Sequence, residues 1–249
     1  VASFAAASPP RSHLPMSNTV ANTPANTIHP FAGLDFNWLL DSRSAAHPDK
    51  VFLTWEPFTS ADGGEGQTAR FTYREFREQT LATARALIAQ GVIPGDTVLI
   101  HLDNCPEFLF AWCACARIGA VAVTTNTRSA PDELAYFASH SGAVGVISQT
   151  GLAKRLPLGA DSTLGWCVLL ADIGQAQDVP TQLPAHLSWG QFIAQGQGQD
   201  LPQLAADPER SISVQYTSGT TSRPKGVLFT HANALFSGRQ NALHEALQP

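Results

Sequence analysis

The 249-residue sequence predicts an α/β fold with a mainly parallel β-sheet flanked by helices. The main observation is alternation: short apolar runs typical of strands are separated by segments with helical periodicity. Strands linked by helices pair in parallel, through right-handed crossovers. The apolar content of 44% is near the globular norm and supplies a sizeable core. Because no closing element follows the last predicted helix, we expect the domain to be incomplete.

The first hundred residues predict two helices. Helical periodicity over 35–46 ends before His47-Pro48, because the residue before a proline disfavours the α conformation. The helix 73–90 is amphipathic, with Arg77 as an exception in its apolar arc. Gly91 is placed to end this helix in the left-handed conformation. The extended segments predicted here are 51–55, 70–73 and 97–102, and a Gly/Ser/Asp-rich loop spans 57–68.

A third predicted helix, 105–118, is apolar on nearly every side and is therefore expected to be buried. Asn104 is placed to cap it, and Glu107 lies three positions on as the reciprocal partner. Gly119 is predicted to end the helix, and a strand follows over 120–124.

A fourth predicted helix runs from a cap at Ser129 to about residue 141, with Pro131 and two acidic residues in its first turn. Residues 172–203 read as loops around one short helix, and Thr230 is placed to cap the last helix. The remaining predicted elements are strands 144–148, 166–170, 211–216 and 226–229, the short helix 189–194 and a polar loop over 217–225.

Composition excludes several classes of protein. Lys plus Arg number 15 against 20 Asp plus Glu, so no basic excess exists for nucleic acid. No apolar run approaches the roughly 20 residues that a membrane span requires. The four cysteines are too few and too irregular for a disulfide scaffold, so we expect a reduced, cytoplasmic protein.

The amino-terminal segment differs from the rest. Residues 1–30 contain five prolines and a single charge, Arg11, so we expect a flexible leader followed by one domain over 31–249. The only methionine is Met16, and one hypothesis places the translation start there. Mass spectrometry of the native protein tests this, because a peptide containing Phe4 would exclude it.

A hydroxyl-rich loop near the carboxyl end carries the chemistry. Its glycine allows close approach of the backbone to a ligand, and successive N–H groups in such a turn form a concave anion site. Two cations add positive charge, and a proline stiffens the loop. A polyphosphate suits this cradle, whereas composition alone would also fit a solvated turn. The candidate binding residues are Thr217, Ser218, Gly219, Thr220, Thr221, Ser222, Arg223, Pro224 and Lys225.

Three other motifs are excluded. A Walker A loop requires Ser or Thr after the lysine, but Gly226 follows Lys225. The match to a dinucleotide-binding fingerprint at 64–69 has no helix after it. The Gly-x-Ser-x-Gly elbow of serine hydrolases does not occur.

The segment 216–227 resembles the phosphate-binding signature of the AMP-forming adenylating enzymes, which include acyl-CoA synthetases, peptide-synthetase adenylation domains and luciferases. The signature, Tyr/Phe-Thr-Ser-Gly-Ser/Thr-Thr-Gly-x-Pro-Lys-Gly, differs here only at Ser222, where most members have Gly. The likeness covers 35–249 and is closest to the branch with carnitine- and crotonobetaine-CoA ligases. Further similar segments are 91–98, 104–108, 117–121 and 230–233.

The resemblance implies a fold and roles for these residues. The chain would be the N-terminal part of the large domain of an adenylate-forming enzyme. Residues 217–221 would wrap the β- and γ-phosphates of ATP, and Lys225 would hold the departing pyrophosphate with Mg²⁺. Ser222 would cost of order 1 kcal/mol relative to Gly if its φ is positive. His231 would either face the acyl pocket or, as the favoured alternative, lie on the surface of the first helical turn.

The implied substrates are ATP, a small-molecule carboxylic acid and coenzyme A. The family's magnesium ligand, ribose-binding aspartate and catalytic lysine would all follow the loop, so we identify no catalytic residue. We therefore expect an N-terminal fragment that is inactive without the C-terminal region of the same enzyme. Two alternatives stay open: an adenylation domain for an amino acid or another acid in a carrier-protein system, and a non-catalytic nucleotide-binding fragment.

Overall fold

The computed structural model describes residues 29–56, 68–159, 162–171, 186–217 and 223–245. Its main feature is a seven-stranded sheet, which confirms the predicted α/β class. The strands are β3 (Thr97–His101), β4 (Val121–Thr124), β5 (Ala143–Gln149), β6 (Cys167–Leu170), β7 (Leu187–Ser188), β8 (Ser211–Thr217) and β9 (Lys225–Thr230). A separate antiparallel pair contains β1 (Val51–Trp55) and β2 (Ala69–Thr72).

The helices lie between the strands in sequence, as the alternating pattern predicts. They are α1 (Phe36–Ala46), α2 (Tyr73–Ala89), α3 (Pro106–Ile118), α4 (Pro131–Ser141), α5 (Trp189–Gln195) and α6 (His231–His244), with a 3₁₀ helix over Thr150–Arg155. The 3₁₀ helix and the two-residue strand β7 were not predicted, because neither is long enough to show a hydrophobic period.

The strand order is β7-β6-β5-β3-β4-β8-β9, and every pair is parallel except β8 with β9. The chain first places β4 on one side of β3 and then returns to place β5 on the other side. In parallel sheets, such a reversal opens a crevice at the carboxyl ends of the strands, where ligands bind.

The core has a layer on each face of the sheet. Val98 and Ile100 of β3 pack with α2, α3 and α5, whereas Leu99 points to the opposite face and packs with α4. This alternation follows from the two-residue period of a strand. A third cluster joins α1 and the β1–β2 pair to the outer surfaces of α2 and α3, with Phe76 and Phe110 at its centre.

The charge that broke the apolar pattern of α2 has a partner. Arg77 Nε lies 2.6 Å from Asp41 Oδ1, and Arg117 donates to both oxygens of the same carboxylate at 2.8 Å. Burial alone would raise the pKa of Asp41, but hydrogen bonds and charges from Arg117 and Arg77 outweigh it and lower the pKa. This carboxylate therefore ties α1 to both α2 and α3.

The predicted caps of two helices are wrong by one residue. Cys105, not Asn104, precedes α3, and its side chain makes no capping hydrogen bond. Likewise Ala130, not Ser129, precedes α4, and the Glu133 carboxylate accepts a hydrogen bond from the Ala130 amide at 2.9 Å. In both cases a proline occupies the first helical position, and its fixed φ sets where the helix begins.

The predicted helix ends are confirmed. Gly91 and Gly119 have φ of 79° and 73°, the left-handed conformation that favours glycine. Thr230 caps α6 by accepting from the Asn233 amide. Residues 1–28 of the predicted leader 1–30, most of the loop 57–68 and the segment 172–185 lie outside the described residues.

Two glycines, Gly190 within α5 and Gly196 directly after it, test how tightly this helix packs against α2. A Cβ at Gly196 would lie 2.5 Å from the Ala86 backbone nitrogen, whereas a Cβ at Gly190 meets nothing within 4 Å. We expect G196A to lower the free energy of unfolding by about 1–3 kcal/mol, because α5 must shift. G190A should be neutral or stabilising by up to about 1 kcal/mol. Urea denaturation checks both, and equal stability of the two variants would contradict this packing.

Candidate functional site

The predicted phosphate-binding loop connects the two last strands of the sheet. Thr217 ends β8, and its Cα pairs in antiparallel register with that of Lys225, the first residue of β9. Residues Ser218, Gly219, Thr220, Thr221 and Ser222 lie outside the described part of the chain. Both flanking residues, Thr217 and Lys225, are exposed. The hairpin therefore places the Thr217 hydroxyl on one strand and the Lys225 ammonium group on the other, at the base of the loop.

Aromatic side chains of α4 anchor the downstream side of the loop. The Tyr136 hydroxyl donates to the Pro224 carbonyl at 3.1 Å, and the Arg223 guanidinium lies 5.3 Å from the centre of the Tyr136 ring. Arg223 thus packs against α4. Among the described residues Lys225 makes no ion pair, so its charge is available to a ligand.

Tyr216 fixes the strand that leads into the loop. Its ring stacks on Phe137 with centroids 4.2 Å apart, and its hydroxyl lies 2.8 Å from His140 Nδ1. Burial, with a smaller contribution from Tyr136, raises the pKa of Tyr216 to about 12, so the phenol is neutral. Gly226 lies opposite in the register, and a Cβ there would come within 3.1 Å of Val214 Cγ1. A larger residue at this position would therefore require Val214 to shift by a few tenths of an ångström.

A cavity of about 900 Å³ opens beside the hairpin at the carboxyl edge of the sheet. Residues after β3, β4 and β5 line it together with Gln215 and Tyr216 of β8. Its position is the crevice that the strand order predicts. The lining residues are Leu102, Asp103, Asn104, Phe108, Thr124, Thr125, Asn126, Thr127, Gln149, Gly151, Leu152, Gln215 and Tyr216.

The residues that line the cavity were not predicted, although the sequence contains a pattern that indicates them. A polar residue lies at or shortly after the end of each of these strands: Asp103 two residues after β3, Thr125 directly after β4 and Gln149 at the end of β5. Asp103 and Gln149 join the ends of β3 and β5 through two hydrogen bonds of 2.9 Å. Because carboxyl ends of parallel strands meet at one edge, such residues converge.

A buried histidine ends the central strand next to this cavity. His101 is fully buried, and its Nδ1 lies 2.9 Å from the Thr125 hydroxyl oxygen. Its Nε2 has no hydrogen-bond partner among the described residues. Burial, reinforced by the charge of Arg155, lowers the pKa of His101 to about 4. The imidazole is therefore neutral at pH 7.

His231 does not lie on the surface, so the favoured prediction for it is wrong. It is fully buried, and its Nδ1 accepts a hydrogen bond from the Phe36 amide at 3.2 Å. Burial lowers its pKa. Because α6 packs against α1, the first turn of α6 is covered, which its own sequence does not indicate. His231 is not among the residues that line the cavity at the carboxyl edge.

The four cysteines are free, as predicted. Burial raises the pKa of each thiol to about 12, so none is a reactive thiolate.

The described residues contain no group of three or more His, Cys, Asp and Glu side chains that could hold a metal ion. None of the helices in the described ranges is long and apolar enough to cross a membrane.

The sequence model of the AMP-binding enzyme family matches residues 40–248. The chain belongs to this family. It is 30% identical over 226 residues to the crotonobetaine/carnitine–CoA ligase of Citrobacter koseri, covering 87% of this chain and 40% of that enzyme. The enzyme of the same name from Salmonella paratyphi A is 31% identical over 223 residues, with the same coverage. The chain thus spans about 40% of the length of these curated relatives.

Two solved structures share the fold of this chain. The N-terminal subdomain of Klebsiella oxytoca NpsA superposes with a TM-score of 0.57 at 27% identity, covering 79% of this chain and 42% of that one. The anthranilate CoA ligase AuaEII, in complex with anthranoyl-AMP, gives a TM-score of 0.64 at 21% identity, covering 85% and 37%. The second likeness bears on the fold alone.

The buried histidine below the cavity predicts a pH dependence of stability. The unfolded chain protonates His101 near pH 6.5, whereas the folded chain does so only near pH 4. Between these values the unfolded state binds more protons, so the free energy of unfolding falls as the pH falls, by up to about 3 kcal/mol.

The variant H101N keeps a hydrogen-bonding group toward Thr125 but does not titrate in this range. We expect it to lose less free energy of unfolding between pH 6.5 and pH 4 than the parent, as measured by urea denaturation at each pH. The control H244N changes an exposed histidine near the end of α6 and should keep the parent's slope. An unchanged slope in H101N would show that His101 is not responsible.

Proposed function

We propose that this chain is the nucleotide-binding N-terminal part of an ATP-dependent acid–thiol ligase. Such an enzyme activates a carboxylic acid as an acyl adenylate and passes the acyl group to coenzyme A. The observation that carries the proposal is the hairpin with Thr217 and Lys225 at its base, beside a cavity of about 900 Å³. We place the domain in residues 31–249. The free cysteines support a reducing compartment, and we place the enzyme in the cytoplasm.

The hairpin suits the electrostatics of adenylation. A carboxylate that attacks the α-phosphorus approaches another anion, and negative charge grows on the departing pyrophosphate. Fixed donors and a cation stabilise that growth because they need no reorganisation during the reaction. We assign this role to the Lys225 ammonium, the Thr217 hydroxyl, and the backbone amides and hydroxyls of 218–222. Arg223 contributes less, because its guanidinium packs on Tyr136.

The cavity at the carboxyl edge offers room for the rest of the reactants. Its lining combines amide and hydroxyl side chains with Phe108 and Leu102, a mixture typical of small-molecule sites. The relatives are named for ligation of crotonobetaine or carnitine to coenzyme A, which supports a carboxylic acid and coenzyme A as the substrates here. We assign this cavity to the acid and the adjoining part of the nucleotide.

Mg²⁺ accompanies ATP in most enzymes and would neutralise the phosphates of the bound nucleotide. The described residues do not form a metal site of their own. We therefore assign no magnesium ligand to this chain and derive no step through the metal.

The role of Lys225 is tested by ATP binding. We expect K225A to weaken the affinity for ATP by about tenfold or more, because one charge-assisted contact to the phosphates is lost. The matched control is K154A, since Lys154 is also exposed but lies in the 3₁₀ helix. Isothermal titration calorimetry of both variants measures the effect. Equal affinities in K225A and the parent would remove Lys225 from the site.

We also infer that these 249 residues bind ATP without completing adenylation, because the chain spans about 40% of its curated relatives. ATP–pyrophosphate exchange with a panel of acids, including crotonobetaine, carnitine and straight-chain fatty acids, tests this. We expect no acid-dependent exchange above background. Clear exchange with any acid would contradict the inference and would identify the substrate at the same time.

A further inference from the structure

A second cavity, of about 580 Å³, lies at the opposite edge of the sheet. Its lining comes from α1, from one face of α2, from the last turn of α3 and from residues 201–206. Arg117 is one residue from the end of α3, and β4 begins three residues after that helix, so this cavity sits at the amino ends of the strands. The hairpin of the proposed ATP site follows the carboxyl end of β8. Among the described residues, none lines both cavities.

Three arginines line this second cavity: Arg77, Arg85 and Arg117. The lining also contains two carboxylates, Asp35 and Asp41, and both accept hydrogen bonds from other groups of the protein. Asp41 accepts hydrogen bonds from Arg77 and Arg117. Asp35 caps α1, accepting from the Trp38 amide at 2.7 Å. The lining thus contains three arginines against two carboxylates, so the cavity carries an excess of positive charge.

One of these arginines has unused donors. Arg85 makes no ion pair and no hydrogen bond among the described residues, although it is half-buried and lies two helical turns after Arg77 on α2. Both terminal nitrogens of Arg117, in contrast, are bound to Asp41. The Arg85 guanidinium therefore offers its N–H donors to an acceptor-rich ligand in the cavity.

The cavity also offers a flat apolar surface. The Trp38 side chain belongs to the lining and is 44% exposed. An exposed indole presents a face on which a planar ring stacks. The volume of about 580 Å³ lies in the range of small-molecule sites. A small organic anion with a ring thus matches both the donors and the surface.

We propose that this cavity binds a small aromatic phosphate monoester, with its phosphoryl oxygens on Arg85 and its ring on Trp38. A phosphate monoester suits the site better than a carboxylate because it carries up to two charges and three acceptor oxygens. Guanidinium groups are the side chains best shaped to bind such oxygens. The site is separate from the hairpin, so occupation of one does not block the other.

The test is calorimetric titration of the full 249-residue chain with phenyl phosphate, with phenol as the neutral control. We expect one equivalent of phenyl phosphate to bind and phenol not to bind. R85A should weaken the affinity for phenyl phosphate by about tenfold or more, since a charge-assisted contact is lost. R85K keeps the charge but not the planar fork, and should weaken it by a smaller factor.

Two variants serve as matched controls. Arg74 is also on α2 but pairs with Asp49 at an exposed position, so R74A should bind phenyl phosphate like the parent. K225A alters the proposed ATP site and should also keep the affinity. Because Arg85 makes no ion pair or hydrogen bond in the part of the chain that the structure describes, R85A is expected to fold, which circular dichroism checks. If it does not, R85K carries the test, and its affinity must be at least about threefold weaker.

Several results would overturn the proposal. They are the absence of saturable binding of phenyl phosphate, unchanged affinity in the folded R85 variant, and equal binding of phenol. Loss of binding in K225A with retention in R85A would place the ligand on the hairpin instead. Weakening in the R85 variant alone, with R74A and K225A unchanged, would establish the site.

Discussion

The antiparallel pairing of β8 with β9 is the constraint on which the proposed site depends. It places Thr217 opposite Lys225 and leaves both side chains exposed. The packing is close at Gly226, where a Cβ would lie 3.1 Å from Val214 Cγ1, and β8 is held in place because Tyr216 stacks on Phe137. A lysine on a free loop would lose conformational entropy on binding. On the first position of a strand, its backbone is already ordered.

The sheet explains why this hairpin lies beside a cavity. The six strands from β7 to β8 run parallel, so the polar residues after them collect at one edge, and the reversal around β3 opens the crevice there. The hydrogen bonds between Asp103 and Gln149 hold the ends of β3 and β5 together. The opposite edge carries a different chemistry. There the Asp41 carboxylate of α1 binds Arg77 of α2 and Arg117 of α3, whereas Arg85 has no partner within the described ranges.

Local patterns predicted the elements, whereas tertiary packing decided the details. The period of α2 and the glycines after α2 and α3 were sufficient to place those helices and their ends. The caps predicted at Asn104 and Ser129 were wrong because a proline at the first helical position sets where each helix begins. The nearby sequence does not explain why Arg77 lies in the apolar arc of α2 or why His231 is buried. Their hydrogen-bond partners lie 36 and 195 residues away along the chain. The motif 216–227 indicated the candidate site, but only the sheet order showed which cavity adjoins it.

The central claim is that the hairpin between β8 and β9 holds the phosphates of ATP. The most direct measurement is a two-dimensional amide NMR titration of the isotope-labelled chain with ATP. Our account predicts that the largest shifts fall on the amides of residues 217–223 and 225, with smaller shifts at Gln215 and Tyr216 and none along α1. Saturable binding with the largest shifts elsewhere, and none between Thr217 and Lys225, would contradict it.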